Sequence, residues 1–449
     1  MPEIKEIPKL KEWERVSSHS HITGLGLRDG KALPNADGMI GQTLAREAAG
    51  IIVQLVKEGK FAGRSILIAG PPGTGKTAVA LGISKELGAD VPFVPVTASE
   101  IFSTEMKKTE FLTQTLRKAI GVRIRELRKV YEGVVKKLDI KAVPSPMNPY
   151  QQVPSSATLT LETKKESKTL SMDAEFAAQF SKEGIGEGDV VQIDVEGGRV
   201  VKLGKCEDYA KKEKLDLSSA KLVPMPADNV FREREFVYTL SLHQMDVINS
   251  QRGGGDIFSM LFGGGRREID SDLRNAIDKN VKQMVSEGKA EIIPGVVFID
   301  ECSLLDVETF AFLNRAMEED LAPIIIFATN RGITEIRGTT IKAPHGMPLD
   351  LLDRMLIINT KRYSSNEIKE IIKERCKVEK LKIKEDALAE LTKIGTSTSL
   401  RHAIQLLAPA HEISNGEITL KAVKQAATLF VDVTQSVNYL KQMEEKMLK

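Results

Sequence analysis

Residues 65–77 read SILIAGPPGTGKT, and this stretch decides the fold. It begins with an apolar run and continues into a glycine-rich loop, and an apolar pattern of helical spacing follows it over residues 78–87. In this context such a loop binds phosphate, because its glycines let backbone N–H groups and the helix N-terminus converge on phosphate oxygens. We therefore predict a nucleotide phosphate site formed by Gly70, Pro71, Pro72, Gly73, Thr74, Gly75, Lys76 and Thr77.

Two residues of this loop carry the expected chemistry. Lys76 is predicted to reach the β- and γ-phosphates, and the Thr77 hydroxyl is predicted to ligate Mg²⁺. A chance glycine turn before a helix is the alternative, and the complete motif in its correct context disfavours it. The expected cofactors are ATP or ADP with Mg²⁺.

A second apolar run, residues 296–299, ends in Asp300 and Glu301. Continuous apolar runs are typical of buried parallel strands, whose carboxyl ends carry the ligands in open α/β sheets. Asp300 is expected to hold Mg²⁺ and Glu301 to polarise the attacking water, whereas a helix N-cap is the alternative for such a pair. A third run ends at Asn330, whose amide is expected to orient the lytic water rather than to serve only as a turn residue.

Composition limits the remaining possibilities. A chain of 449 residues usually splits into two or three domains, and a formal net charge of +2 does not by itself indicate a nucleic-acid binder. The three cysteines, Cys206, Cys302 and Cys376, are far apart, which argues against a zinc site or disulfide framework. No apolar run reaches membrane-spanning length, so we expect no membrane partner and a cytoplasmic location, or a nuclear one in a eukaryotic cell.

The long separation between Lys76 and Asp300 predicts an insertion. Apolar residues spaced by three or four positions over residues 116–134 predict a long amphipathic helix at its start, with a basic face more typical of a solvated surface than of a ligand site. Alternation over residues 158–163 and 191–195, with a hairpin through Gly197 and Gly198, predicts strands, and residues 173–180 predict a helix between them. Short strands with one helix favour a small barrel.

Whether this barrel binds nucleic acid stays open at the sequence level. Barrels that do so combine basic grooves with stacking aromatic residues. Aromatic residues are sparse here, and the main candidates are Tyr150, Phe176, Phe180 and Tyr209, of which the two phenylalanines are expected in the core. DNA or RNA binding and pure protein contact are equally supported.

The chain after Arg362 has a helical pattern. Ser364 and Glu367 form a capping-box pattern, and Gly395 is a candidate helix stop. A second helix is predicted from Leu400 and a third over residues 420–431. Such a helical domain can change its angle to the core with nucleotide state.

Further blocks occur in an order shared with one family. They are residues 18–22 (SHSHI), 24–27 (GLGL), 41–42 (GQ), 103–110 (STEMKKTE), 241–243 (SLH), 246–250 (DVINS), 294–295 (PG), 351–354 (LLDR) and 400–401 (LR). With the phosphate loop and the acidic strand, they make the chain resemble the RuvB-like AAA+ ATPases, the pontin/reptin family, along nearly its whole length. After Glu301 the chain has Cys302 and Ser303, where that family usually has Val and His.

The resemblance implies an α/β fold, namely an AAA+ P-loop core with a parallel sheet, an inserted OB-fold-like β-barrel domain and a C-terminal helical lid. The implied domains are the core (residues 1–121 and 291–363), the insertion (122–290) and the lid (364–449). The resemblance also implies a homo-hexamer or a ring of rings, with client proteins as further partners.

The resemblance also assigns site residues. Arg354 matches an arginine finger, which completes the active site of a neighbouring subunit by neutralising transition-state charge. Arg401 matches a second sensor that contacts the nucleotide of its own subunit, with Leu400 beside it. His21, Ile40 and Tyr363 are expected to line the adenine pocket, with His19 nearby.

Two main hypotheses remain for the process that ATP hydrolysis drives. The first is a helicase-type motor acting on DNA, and the second is an assembly chaperone or scaffold that binds and releases proteins as nucleotide changes. A ring without hydrolysis is a third, which the full set of Asp300, Glu301, Asn330 and Arg354 disfavours.

Overall fold

The computed structural model describes most of the chain: residues 21–61, 63–88, 90–102, 106–144, 152–195, 197–209, 222–252, 269–414 and 416–432, with 436, 437 and 440. The chain divides into two compact units. The first comprises Met1–Val122, Leu240–Asn280 and Ile292–Lys449, and the second comprises Arg123–Thr239 and Val281–Glu291.

The strands, in chain order, are β1 Leu27–Arg28, β2 Lys31–Ala32, β3 Asn35–Ala36, β4 Met39–Ile40, β5 Ser65–Ala69, β6 Phe93–Thr97, β7 Ile120–Pro144, β8 Gln152–Glu162, β9 Ser167–Met172, β10 Asp189–Asp194, β11 Arg199–Cys206, β12 Leu222–Val223, β13 Phe231–Ser241, β14 Ala290–Pro294, β15 Val296–Asp300, β16 Ile324–Thr329, β17 Ile333–Glu335, β18 Lys342–Pro344 and β19 Met355–Asn359.

The helices are α1 Thr43–Lys57, α2 Lys76–Leu87, α3 Lys108–Lys118, α4 Ala174–Lys182, α5 Leu242–Arg252, α6 Ser271–Ser286, α7 Val307–Ala316, α8 Leu349–Leu352, α9 Ser365–Val378, α10 Glu385–Ser397, α11 Leu400–Gln405, α12 Leu407–Ser414 and α13 Leu420–Leu429. In the described part of the chain, no helix has the combined length and apolar character that crossing a membrane requires.

The centre of the first unit is a five-stranded sheet in the order β19-β5-β16-β15-β6, and all its pairs are parallel. Side chains of a strand alternate between the two faces of a sheet. Accordingly, Ile66 and Ile68 of β5 pack with α1 and α2 on one face, and Leu67 packs with α3 and α7 on the other. Burial on both faces explains the continuous apolar runs, and confirms the predicted parallel sheet.

The second unit is built around β7, β8 and β9, which pair in sequence as antiparallel neighbours, and β10, which returns after α4 to pair with β7. This order, β10-β7-β8-β9, is a Greek key, and β11 extends it through the predicted hairpin with β10. Five strands in a Greek key are typical of an OB-fold. Phe176 and Phe180 of α4 lie in its core, as predicted.

The predicted amphipathic helix over residues 116–134 is wrong. Helix α3 ends at Lys118, and from Ile120 the chain forms β7, a strand of 25 residues. Leu127, which the helical pattern placed on the apolar face, is 72% exposed. The strand is stabilised by β8, β10, β13 and β14, partners from other parts of the chain that a local apolar period cannot show.

Residues 240–280 lie with the first unit, whereas the expected insertion extended over 122–290. The reason is a buried ionic cluster. Asp246 on α5 is fully buried and accepts from Arg117 on α3 at 2.5 and 2.7 Å, and Arg117 also contacts Asp278 on α6 at 2.8 Å. Arg274 on α6 donates to Glu110 on α3 as well. Charged groups of three helices therefore join this segment to the core.

Replacing Asp246 by Ala is expected to lower the free energy of unfolding by about 3 kcal/mol, because the Arg117 guanidinium then stays buried with only Asp278 as a partner. Chemical denaturation of the two proteins measures this change. Lys60→Ala, which breaks an exposed pair with Glu58, is the control and should change stability by less than about 0.5 kcal/mol. A loss below about 1 kcal/mol for Asp246→Ala would show that the cluster does not join these helices.

The C-terminal helices α9–α13 share a separate hydrophobic core. The capping box of Ser364 and Glu367 at the start of α9 is confirmed, and α11 begins at Leu400 with Ser399 as its N-cap. Gly395 lies inside α10 rather than beyond a helix end, and the pattern missed α10 and α12. The predicted third helix ends at Leu429.

Candidate active site

The carboxyl ends of β5, β15 and β16 lie at one edge of the parallel sheet. The predicted phosphate loop follows β5, Asp300 is the last residue of β15, and Asn330 follows β16. A cavity of about 350 Å³ opens at this edge. The predicted residues that line it are His21, Ile40, Pro72, Gly73, Thr74, Gly75, Lys76, Thr77, Asp300, Glu301, Asn330, Tyr363, Leu400 and Arg401. The fold thus brings together segments that are distant in sequence.

The phosphate loop has the backbone that its glycines predict. Gly73 and Gly75 have φ values of 75° and 78°, in the left-handed region that favours glycine. Space around Gly73 is open, whereas a Cβ on Gly75 would lie 2.4 Å from the Tyr363 hydroxyl oxygen. Helix α2 begins at Lys76, so its N-terminus points its free N–H groups into the cavity region where phosphate is expected.

The Lys76 ammonium lies in the loop itself. Its Nζ donates to the carbonyl oxygens of Gly70 and Pro71 at 3.0 and 2.9 Å. Burial lowers the pKa of Lys76; the nearby Asp300 carboxylate opposes this and Arg401 adds to it. Asp300 and Arg401 therefore both act electrostatically on Lys76.

Glu301 is held in an unusual backbone conformation. It is a non-glycine residue with φ 54° and ψ 39°, and its N–H donates to Asp300 Oδ1 at 2.9 Å. Left-handed backbone at a non-glycine residue costs about 1–3 kcal/mol and is found mainly where the surrounding structure imposes it. Here the buried Cys302, whose sulfur lies 3.8 Å from that of Met347, fixes the chain just after Glu301.

Residues 21–42, which we call the strap, supply His21 and Ile40 to the cavity. Fully buried Arg46 of α1 holds the strap by donating to backbone carbonyls at 2.7–3.1 Å, those of Leu25, Gly26, Leu33 and Gly41. Arg46 was not predicted, because an arginine inside an amphipathic helix gives no local sign that it will be buried. His19 lies outside the described residues.

The strap and the lid present groups suited to a nucleobase. The His21 Nδ1 atom is buried without a hydrogen-bond partner, and Ile40, Leu400 and Ile404 line the same cavity. Burial, with a further effect from Arg375, lowers the pKa of His21, so the ring is neutral at pH 7. Burial raises the pKa of Tyr363 to about 12, which keeps its hydroxyl protonated. A flat heterocycle with polar edges fits this mixture.

The lid adds cavity residues that the sequence did not indicate: Ile371, Glu374, Arg375 and Ile404. Ile371 and Arg375 lie in the helix predicted after Ser364, but a helical period shows only which residues share one side of that helix. Their position beside the cavity depends on how α9 packs against the core.

Arg354 lies away from this cavity. It precedes β19, and its carbonyl accepts from the N–H of Ser65 at the amino end of β5. Since the phosphate loop follows the carboxyl end of β5, Arg354 is at the opposite edge of the sheet from Lys76. Its exposed side chain pairs with Glu318. Of the two arginines of the predicted site, only Arg401 therefore lines the cavity, and Arg354 lies at the opposite edge of the sheet.

The acidic groups fit a magnesium ion that is held mainly by nucleotide and water. Thr77 and Asp300 line the same cavity, and in the described residues there is no group of three His, Cys, Asp or Glu side chains that could hold a metal alone. Mg²⁺ usually binds through one or two carboxylates together with phosphates and water. The residues present therefore fit it.

Comparison with known proteins agrees with this geometry. The TIP49 P-loop domain matches residues 15–366, and the TIP49 AAA-lid domain matches residues 371–432. The proteins named RuvB-like helicase 1 in Drosophila pseudoobscura pseudoobscura and in Drosophila melanogaster are each 44% identical to the chain. Each alignment covers 99% of the chain and 99% of the relative. The chain belongs to the TIP49 family of RuvB-like AAA+ P-loop ATPases.

Proposed function

We propose that this protein is a Mg²⁺-dependent ATPase that forms rings and couples hydrolysis to the remodelling of DNA or of nucleoprotein complexes. One observation carries the proposal: Lys76, Thr77, Asp300 and Glu301 line a single cavity at the carboxyl edge of the sheet. We further propose that the inserted domain comprises residues 123–239 and 281–291, the second compact unit.

The site residues then have defined tasks. Lys76 leaves the carbonyls of Gly70 and Pro71 to contact the β- and γ-phosphates, and N–H groups of the loop bind the remaining phosphate oxygens. Thr77 and Asp300 hold Mg²⁺, which neutralises charge on the phosphates when bound. Glu301 accepts a hydrogen bond from the attacking water, and Asn330 orients that water. Arg401, from the lid, contacts the same nucleotide.

Arg354 supports a ring. An arginine at the amino edge of the sheet cannot reach the phosphates bound at the carboxyl edge of its own subunit, because a strand of five residues spans about 17 Å. A neighbouring subunit can place its Arg354 at that site. In this arrangement hydrolysis requires assembly.

A surface of the inserted unit favours nucleic acid as the substrate. Strand β13 carries Phe231, which is 40% exposed, followed by Phe236 and Tyr238. The cations Lys168 and Arg128 lie over these rings, at 5.8 Å for Lys168 over Phe231 and 5.7 Å for Arg128 over Phe236. One exposed and two half-buried aromatic rings, interleaved with cations, suit single strands, whose bases stack and whose phosphates are negative. Of the aromatic candidates named from the sequence, Phe176 and Phe180 are buried in the core as expected, and Tyr150 lies outside the described residues.

An ATP-switched assembly chaperone is the second candidate. Phe176 and Phe180 are buried as expected, and the Tyr209 hydroxyl donates to Glu162, so none of these three rings is presented for base stacking. In that case the inserted unit would bind client proteins, and nucleotide state would control their release. The free, buried cysteines Cys206, Cys302 and Cys376 suit a reducing compartment, so we place either activity in the cytoplasm or nucleus.

Purified protein is expected to hydrolyse ATP only with Mg²⁺ and to displace one strand of a partial DNA duplex in an ATP-dependent manner. Hydrolysis should stop on addition of EDTA and return with excess Mg²⁺. Lys76→Ala is the control and should neither hydrolyse ATP nor unwind. Unwinding by Lys76→Ala equal to wild type would exclude a motor, and hydrolysis without any unwinding would favour the chaperone.

A further inference from the structure

Residues 360–363 lie between β19 and Ser364, the N-cap of α9, and we call them the connector because they join the core to the lid. Its first residue, Thr360, contacts the phosphate loop. The Thr360 hydroxyl lies 2.7 Å from the Thr74 hydroxyl, and both side chains are almost completely buried, at 4% and 2% exposure. The Thr360 N–H donates to the Ala69 carbonyl at 2.8 Å, which fixes the connector to the end of β5.

The direction of the hydroxyl contact follows from counting protons. A threonine hydroxyl has one proton to donate. Thr74 uses its proton on the Pro71 carbonyl, at 2.8 Å, whereas the other acceptor within reach of the Thr360 hydroxyl, the Ala69 carbonyl, is more distant at 3.4 Å. The proton in the 2.7 Å contact therefore comes from Thr360. The result is a directed chain from the connector, through Thr74, to a carbonyl of the phosphate loop.

The carbonyl at the end of this chain is one that holds Lys76. Pro71 oxygen accepts from Lys76 Nζ at 2.9 Å as well as from Thr74. When Lys76 moves to the phosphates, Thr74 still satisfies this carbonyl, and Thr360 still fixes Thr74. Buried polar groups that lose their partners are costly, so this arrangement makes the departure of Lys76 easier.

The rest of the connector contacts the site too. The Gln42 side-chain amide brackets the Lys361 backbone, donating to its carbonyl and accepting from its N–H at 3.1 Å. Tyr363 lies against Gly75, where an added Cβ would be 2.4 Å from its hydroxyl oxygen. The connector thus meets the phosphate loop at both ends and the strap between them.

We propose that Thr360 is a positioning residue for nucleotide binding. Through Thr74 it holds the phosphate loop in a conformation from which Lys76 can move to the phosphates. It also connects that loop to the lid. This inference rests on the proposed ATPase function. Thr360 does not line the nucleotide cavity, whereas Thr74 does, and the shortest contact of the Thr360 hydroxyl is the one to Thr74.

Thr360→Val tests this directly, because valine keeps the shape of threonine and removes the proton. The Kd for ADP and the KM for ATP are expected to rise about threefold to tenfold, with kcat changed by less than about twofold. Thr360→Ser, which keeps the hydroxyl, should restore values close to wild type. In a double-mutant cycle, Thr360→Val should add little to Thr74→Val, because both variants break the same chain.

Thr392→Val is the matched control. Thr392 is also buried, but its hydroxyl donates only within α10, to the Leu388 carbonyl at 2.7 Å, so its loss should leave ADP affinity unchanged. A Thr360→Val variant that binds ADP with wild-type affinity would overturn the proposal. So would a Thr360→Ser variant that binds ADP as weakly as Thr360→Val does. If the Thr360→Val variant failed to fold, comparing Thr360→Ala with Thr360→Ser would test the same point. A Thr360→Ala variant that binds ADP with wild-type affinity would overturn the proposal. Wild-type protein that binds no nucleotide would instead overturn the proposed function.

Discussion

The Glu301→Gln variant is expected to bind ATP with near wild-type affinity and to hydrolyse it at least about 100-fold more slowly, the usual minimum effect of removing a general base. The amide keeps the size of the carboxylate but cannot accept the proton of the attacking water. The backbone should stay in place, because Cys302 is buried beside Met347 and Asp300 Oδ1 still accepts the N–H of residue 301. The loss should therefore appear in kcat and not in binding.

Single-turnover hydrolysis with an independent ATP-binding measurement separates these two effects. Glu308→Gln is the matched control, since Glu308 is an exposed carboxylate in the first turn of α7, outside the cavity. It should leave turnover unchanged. Hydrolysis by Glu301→Gln within about tenfold of wild type would assign the base to another group. Lost binding would mean instead that the carboxylate shapes the nucleotide site.

Much of the core could be predicted, because its signals are local in sequence. The phosphate loop carries its own glycines, and the runs before Asp300 and Asn330 are apolar throughout because β15 and β16 are buried on both faces. Parallel strands then place those residues at one edge of the sheet. The capping box of Ser364 and Glu367 is equally local.

The errors lie where distant partners decide the structure. Residues 120–134 have an apolar spacing that also suits a helix, and the strands that pair with β7 and select a strand there, β8, β10, β13 and β14, all follow later in the chain. The contact between Thr360 and Thr74 joins residues 286 positions apart. No sequence pattern indicates that Arg46 will donate to backbone carbonyls or that Arg117 will pair with Asp246. Pattern alone could not find these groups, because each depends on packing between elements.

The Arg354→Ala variant is expected to bind ATP normally and to lose at least about 1,000-fold in kcat in the assembled state, the lower range for removal of an arginine finger. Hydrolysis per subunit of wild type should rise with protein concentration as rings form, whereas the variant should stay low throughout. Arg64→Ala is the control, since this exposed arginine lies beside β5 at the same edge of the sheet. A similar loss in Arg64→Ala would indicate general damage to that edge.

Mixing the two inactive variants distinguishes a role in the neighbouring site from a role within one subunit. A ring containing both has some sites that combine Glu301 of an Arg354→Ala subunit with Arg354 of a Glu301→Gln subunit. Such sites are complete only if the arginine acts across the interface, so mixing should restore part of the activity. A role within one subunit leaves every site defective at either Glu301 or Arg354, and mixtures would then stay as inactive as their components. The position of Arg354 at the amino edge of the sheet, opposite Lys76, favours recovery.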